Sequence, residues 1–280
     1  MNEGRGGETE MNVMAPPEGS TLGLIAAGGL TPLLVAREAR AGGWRVHAFA
    51  TEESLDLSAE VDLIIPVQLG DAMIIMDHLS RVGIRAIVLS GTLPKARFFQ
   101  STLSDPVGLG GAFDWSDHTL FHQAATLLDA QGIRLLDQRQ FLGPWLARVG
   151  NLTQHRPTSS QETEIARGFS VARQLARLGV GQTVVVKHGV VLAAEAVEGT
   201  DETIRRGCRL GGPGTVVVKV AAENHDFRFD VPSIGPTTIE ALAEARGAVL
   251  AVEASRTLIV EPEVTVGMAD SRGLALVARG

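Results

Sequence analysis

The first half of the chain alternates short apolar runs with segments of helical period, and few folds accept that order. Residues 22–26 form an apolar run that ends in Ala27-Gly28-Gly29. Thr31-Pro32 follows with the signature of a helix N-cap and a proline at the first helical position, and Gly42-Gly43 stops the helix after residue 41. Strands are expected at 44–50 and 61–67, a helix at 71–81, and a buried strand at 85–89. After an irregular, glycine-bearing stretch at 91–113, a helix at 116–130 and a strand at 133–136 are expected. Strands separated by helices of about ten residues require a parallel sheet with right-handed crossovers.

The second half reads differently. Ser159 and Glu162 have capping-box spacing, and Ile165, Phe169, Ala172 and Ala176 then fall on one helix face, stopped by Gly179 and Gly181. Residues 183–187 and 190–196, joined by His188-Gly189, read as a β-hairpin. A strand at 215–221, a helix at 238–246, a strand at 248–253 and a helix-strand pair at 264–277 complete the pattern. The expected fold is α/β in two domains. Residues 21–150 form an N-terminal Rossmann-like parallel sheet, and 151–280 a C-terminal mixed α/β domain that carries the acidic motifs described below. Residues 1–20, rich in Gly, Glu and Pro, read as a disordered tail.

Hydrophobic residues make up 45% of the chain but aromatics only 4%, with no tyrosine, so aliphatic side chains must build the core. A net charge of -7 lacks the basic footprint that wrapping a nucleic acid requires. A single cysteine, Cys208, excludes an internal disulfide and a multi-cysteine zinc site, and is expected to be structural. No run approaches the ~18 uninterrupted apolar residues of a membrane span, and no signal peptide precedes the first strand. The expected location is the cytoplasm, and peripheral contact with a membrane is compatible with this composition.

Two short acidic segments carry the strongest chemical signal: Glu195-Ala196-Val197-Glu198-Gly199-Thr200-Asp201 and Asp226-Phe227-Arg228-Phe229-Asp230. Read as extended chain, the second puts Asp226, Arg228 and Asp230 on one face and His225, Phe227 and Phe229 on the other. Carboxylates can hold Mg²⁺, and arginine engages phosphate through two parallel hydrogen bonds. An edge strand with compensating surface charges fits the same spacing. Lys219 and Arg205-Arg206 stand where they could meet phosphate, whereas Arg209 reads as a solvated helix residue. The loop at Gly28-Gly29 is either a tight strand-to-helix turn or the lining of a ligand crevice at the carboxyl end of the sheet. It lacks the G-x-G-x-x-G fingerprint of a dinucleotide oxidoreductase. His118 and His122 read as a helix-surface pair, and Met73-Ile74-Ile75-Met76 and Phe98-Phe99 as core.

Over residues 21–280 the chain resembles the LpxI family of UDP-2,3-diacylglucosamine pyrophosphatases. Three separated motifs carry the likeness: Gly23-Leu24-Ile25-Ala26 with Gly28-Gly29 and Pro32; Val180-Gly181-Gln182 with Gly189, Glu195 to Asp201 and Arg205-Arg206; and Arg228-x-Asp230-x-Pro232-x-Ile234-Gly235. The resemblance implies Mg²⁺-dependent hydrolysis of UDP-2,3-diacylglucosamine to UMP and 2,3-diacylglucosamine 1-phosphate in lipid A synthesis. It also implies a lipid-linked UDP-sugar substrate held between two domains, a homodimer, and work at the inner membrane. By that likeness Asp230, Asp226 and Arg228 are the catalytic candidates. Asp230, Glu195 and Asp201 are the metal candidates, and Gly28, Gly29, Lys95, Gln182, Glu195, Thr200 and Asp201 the substrate-facing candidates, which Lys219 joins by its position on the strand alone. The chain departs from the family pattern at Ala27, at Gly91-Thr92-Leu93-Pro94-Lys95-Ala96, at residues 116–122, and at Ala222-Glu223-Asn224-His225. A relative that binds a saccharolipid or nucleotide without cleaving it is the alternative those departures raise.

Overall fold

The computed structural model describes Pro16 and residues 19–68, 71–92 and 125–280. Lys95, Phe98-Phe99, His118 and His122 lie outside the described residues. The expected α/β architecture is what forms. Strands β1 (Thr21–Ala26), β2 (Arg45–Ala50), β3 (Leu63–Pro66), β4 (Ala86–Ser90) and β5 (Arg134–Leu135) make a parallel sheet in the order β3-β2-β1-β4-β5. Leu22, Leu24, Val46, Ala48, Ile87 and Val88 are buried to within the last percent, as central parallel strands covered on both faces must be.

Helix α1 (Thr31–Ala41) crosses from β1 to β2 and α2 (Ala72–Val82) from β3 to β4. The N-cap of α1 is Leu30, so Thr31 is the first helical residue and no side chain caps the end. This corrects the expected Thr31 cap by one position. Helix α2 fully buries only Leu79; of the expected core stretch, Ile75 and Met76 pack partly buried against the cluster around Phe49 and Leu79, whereas Met73 is 82% and Ile74 49% exposed.

The second sheet is mixed, in the order β6-β13-β11-β9-β7-β8: β6 Gly150–Asn151, β7 Thr183–Lys187, β8 Val190–Ala194, β9 Val216–Lys219, β11 Val249–Glu253 and β13 Ala275–Arg279, while β10 Ser233–Ile234 and β12 Leu258–Ile259 pair as a separate parallel ribbon. Helix α3 is the single turn Arg139–Leu142 that leads into it. His188 and Gly189 sit at φ +50° and +73°, the pair of left-handed residues that a two-residue hairpin turn needs, so β7 and β8 join as expected. Helix α4 (Ser159–Arg177) starts with a capping box, but its members are Thr158 and Gln161, one residue before the expected pair. Helix α5 (Thr200–Gly211) covers the other face, and Gly207 lets it approach Val185, where a Cβ would come within 2.5 Å.

Cys208 is fully buried on α5, where the Thr215 hydroxyl donates to its Sγ at 3.0 Å. Burial pushes its thiol above the ordinary range. The folded protein is therefore expected to resist iodoacetamide at mildly alkaline pH and to react fully in denaturant. Rapid native-state labelling, read by mass spectrometry, would contradict this.

Candidate active site

Sheet register brings the candidate residues to one edge. Lys219 ends β9 opposite Thr183 at the start of antiparallel β7, which in turn lies beside Ala194 at the end of β8. On the other side, β11 runs parallel to β9 and ends at Glu253. The loops after β8, β9 and β11 thus leave from the same, carboxyl edge of the sheet, where open α/β sheets bind ligands.

The N-terminal domain docks on that edge. Ala221, Phe227, Val231 and Leu258 share an apolar cluster with Leu22, Leu24, Leu34 and Phe141. The backbone N–H of Ala147 donates to the Thr257 carbonyl at 2.8 Å, and that of Gln138 to the Phe227 carbonyl at 3.3 Å. The two domains therefore meet around the loop that follows β9.

That loop overturns one expectation. Residues 223–229 form turns and not an extended strand. Asp226 takes the Arg228 backbone N–H at 3.1 Å and closes a fork onto its guanidinium, with contacts of 2.9, 3.1 and 2.7 Å. A short aspartate side chain that captures a backbone donor two residues on favours a turn over a strand. The turn sends Phe227 inward, where it is 5% exposed, with the guanidinium of Arg139 3.6 Å and that of Arg256 5.1 Å from its ring centroid. The Asp226 carboxylate also holds the Arg228 guanidinium above its ordinary range. Asp226 and Arg228 thus form one clasp, and Asp137 and Arg139 repeat it across the interface, with contacts of 2.6–3.2 Å. Asp230 escapes it: its side chain is 63% exposed, while His225 Nε2 contacts its backbone carbonyl at 3.0 Å.

The other acidic segment does assemble. Thr200, first residue of α5, donates its hydroxyl to Glu195 Oε1 at 3.0 Å, and the Gln182 backbone N–H reaches Glu195 Oε2 at 3.2 Å. The buried Lys219 ammonium donates to Thr200 Oγ1 at 2.7 Å. Glu198 pairs with Arg206 at 2.5 Å and sits below the ordinary carboxylate range, held down by its own backbone N–H and then by that guanidinium. Asp201 lies in the first turn of α5, where a carboxylate suits the helix dipole.

In the N-terminal domain, Gly28 does not offer a free backbone donor. Its N–H and carbonyl both pair with Thr92, at 3.2 and 2.8 Å, and the Ala27 N–H donates to the Ser90 carbonyl. The β1 and β4 loops are thereby laced together at the point where the strand order reverses. Gly91 permits this: at φ +102°, its missing Cβ would lie 2.7 Å from Gly28 O. Gly29, at φ +90° with open space beside it, is the part of the loop a ligand can approach.

Sequence reading missed Glu253. It is 7% exposed and gathers the Ala221 N–H at 3.0 Å, Arg173 at 2.9 Å and Arg256 at 3.1 Å. Its only sequence signal is an acid ending an otherwise apolar strand. Among the described residues no three His, Cys, Asp or Glu side chains gather as a metal centre, so Asp230, Glu195 and Asp201 are not one preassembled ligand set.

Family models for the LpxI N-terminal domain and the LpxI C-terminal domain match residues 21–145 and 148–277. The chain belongs to the LpxI family. It is 30% identical over 276 residues to a Caulobacter vibrioides protein named UDP-2,3-diacylglucosamine pyrophosphatase LpxI, with 90% of this chain and 95% of that protein covered. Two solved structures show only slight likeness. An ADP complex of N5-carboxyaminoimidazole ribonucleotide synthetase overlaps 61% of this chain and 33% of its own at 13% identity and a TM-score of 0.29. The Staphylococcus aureus N5-carboxyaminoimidazole synthetase gives 63%, 40%, 14% and 0.25. Neither carries a functional argument. The LpxI match spans both sheets, so the interface around Phe227 lies within it.

Proposed function

We propose that this LpxI-family hydrolase cleaves the pyrophosphate bond of UDP-2,3-diacylglucosamine to UMP and 2,3-diacylglucosamine 1-phosphate, with Mg²⁺, in lipid A synthesis. The observation that carries this reading is the match along both domains to a relative of that name. The geometry supports it. Hydrolysis of a phosphoanhydride needs an oriented water and positive charge near the phosphoryl oxygens. Asp230 presents an exposed carboxylate beside the domain interface, suited to accept a hydrogen bond from water. Its backbone is steadied by His225. Gly29 leaves room for substrate at the N-terminal loop, and Lys95, outside the described residues, is proposed to contact the substrate as well.

Mg²⁺ usually keeps several waters and takes one or two carboxylates together with substrate phosphates. Asp230 fits that requirement by exposure, and Asp201 by its partial exposure. A bound Mg²⁺ would supply neutralising charge at the phosphoryl oxygens. The clasped Asp226 and Arg228 are assigned to holding the loop so that Asp230 faces the cleft.

A homodimer and peripheral contact with the inner membrane from the cytoplasm belong to the same proposal. Among the described residues no helix is long and apolar enough to cross a membrane, so a lipid-linked substrate would be met at a surface. Light scattering and vesicle sedimentation test the two assignments.

The experiment is turnover. Protein, substrate and Mg²⁺ should release UMP, and Asp230→Ala should lower kcat by roughly 10²–10³-fold, the effect of losing one placed polar group. Its melting temperature should hold, because surface changes stay within about 0.5 kcal/mol. Full activity in the variant would remove Asp230 from the reaction. Stabilisation by ligand with no UMP would favour the alternative reading, a relative that binds without cleaving, which the altered residues at 222–225 motivate.

A further inference from the structure

Lys219 is charged, 7% exposed, and only partly satisfied. A lysine ammonium has three donors. One reaches Thr200 Oγ1, and among the described residues no carboxylate stands within ion-pairing reach and no other acceptor is engaged. Buried polar groups in folded proteins are nearly always satisfied, and a buried charge is costly unless paired. Two unmet donors at the carboxyl edge of a sheet point to an anion brought by a ligand.

The direction of the network is fixed by chemistry. An ammonium cannot accept, so Thr200 must accept from Lys219, and its single proton must then go to Glu195 Oε1. Glu195 is held in turn by the Gln182 N–H on Oε2 and by its own N–H on the Thr183 carbonyl at 2.8 Å. Both oxygens of Glu195 are therefore engaged inside the protein.

We infer that Lys219, Thr200 and Glu195 form one unit that presents the Lys219 ammonium to a phosphoryl oxygen, with Glu195 a positioning residue and not a metal ligand. This rests on the hydrolase reading for the identity of the substrate, but the anion subsite stands on the unmet donors alone. Glu195 sets the threonine proton, the threonine lone pair sets the ammonium, and the ammonium meets the ligand. No proton need transfer.

The test is calorimetric binding of UDP to the full chain in EDTA, beside steady-state kinetics over a range of Mg²⁺. Lys219→Met keeps the bulk of the buried stem. It and Thr200→Val should each weaken UDP binding about 10- to 100-fold, the loss of a charge-assisted hydrogen bond. Thr200→Ser, which keeps the hydroxyl, should bind as the unaltered protein does. The double variant should be no weaker than Lys219→Met alone, since residues acting as a unit are not additive. Glu195→Gln should lower kcat without moving the Mg²⁺ concentration of half-maximal rate. UDP affinity unchanged in Lys219→Met would overturn the subsite. A shift of the Mg²⁺ dependence in Glu195→Gln would make that residue a metal ligand and overturn its positioning role. Lys219-dependent UDP binding with no UMP released from substrate would leave the subsite standing and defeat the hydrolase reading instead.

Discussion

Phe227→Ala should destabilise the protein by about 3–5 kcal/mol, the range for truncating a buried aromatic. The ring is 5% exposed and belongs to the apolar cluster shared by both domains. Two guanidiniums lie within cation-π reach of the ring, and each such contact adds about 0.5–1 kcal/mol. Those arginines are themselves committed, Arg139 to Asp137 and Arg256 to Glu253, so they cannot swing in to fill the space. Urea unfolding measures the loss. Phe227→Leu retains most of the volume and should recover most of the stability, leaving a deficit near the cation-π contribution. Amide exchange should rise first around residues 138–142, where Gln138 pairs with the Phe227 carbonyl and Phe141 and Leu142 share its cluster. A Phe227→Ala variant within about 1 kcal/mol of the unaltered protein would mean that this ring does not join the domains.

The same residue shows where sequence reading stops. Alternating Asp, Phe, Arg, Phe and Asp at 226–230 satisfies a period of two, yet the segment turns. Five residues are too few for period alone to decide, and the competing signal is local: an aspartate two residues before a donor. Asp137-Gln138-Arg139 repeats that signal on the other side of the interface and makes the same fork. The spacing was therefore visible, but its meaning depends on a partner ninety residues away. Caps failed by one residue for a related reason. Thr158 and Ser159 both suit an N-cap, and only the fold selects the one whose backbone is extended.

What was legible was set by strong, local chemistry. The apolar runs of β1 and β4 have no exposed residue and so cannot be read as amphipathic helices. His188-Gly189 supplies two left-handed residues between β-branched strands. Met73 and Ile74 mislead because composition does not say which face of a weakly held helix meets the sheet; only Leu79 is buried there. Glu195, Thr200 and Lys219 were each nameable, but not their connection. That depends on β7 lying between β8 and β9, which places the ends of two strands and the start of a third together. Register is a tertiary property, whereas the Asp226 fork onto Arg228 is local and leaves Asp230 exposed.

Gly181→Ala tests whether that register places Glu195 for the reaction. A Cβ on Gly181 would lie 2.2 Å from Glu195 O, 2.6 Å from its carbonyl carbon and 2.9 Å from its Cβ. The obstacle is mostly backbone, which cannot rotate away, so the chain on one side must move. Overpacking of this kind costs about 1–3 kcal/mol. The movement falls where Gln182 and Thr183 hold Glu195, so a displacement of about 1 Å should also lower kcat/KM by about 10²-fold. Gly211→Ala separates the two effects. Its Cβ would meet side chains, Leu192 Cδ1 at 2.3 Å and Thr215 Cγ2 at 2.5 Å, at the end of α5 remote from Thr200. That variant should lose comparable stability yet retain its kcat/KM per folded molecule. Equal losses of activity in both would reduce the Gly181 effect to general loosening of the domain. A loss confined to Gly181→Ala would show that the backbone around Glu195 and Thr183, both of which reach Thr200, is held in place for the chemistry.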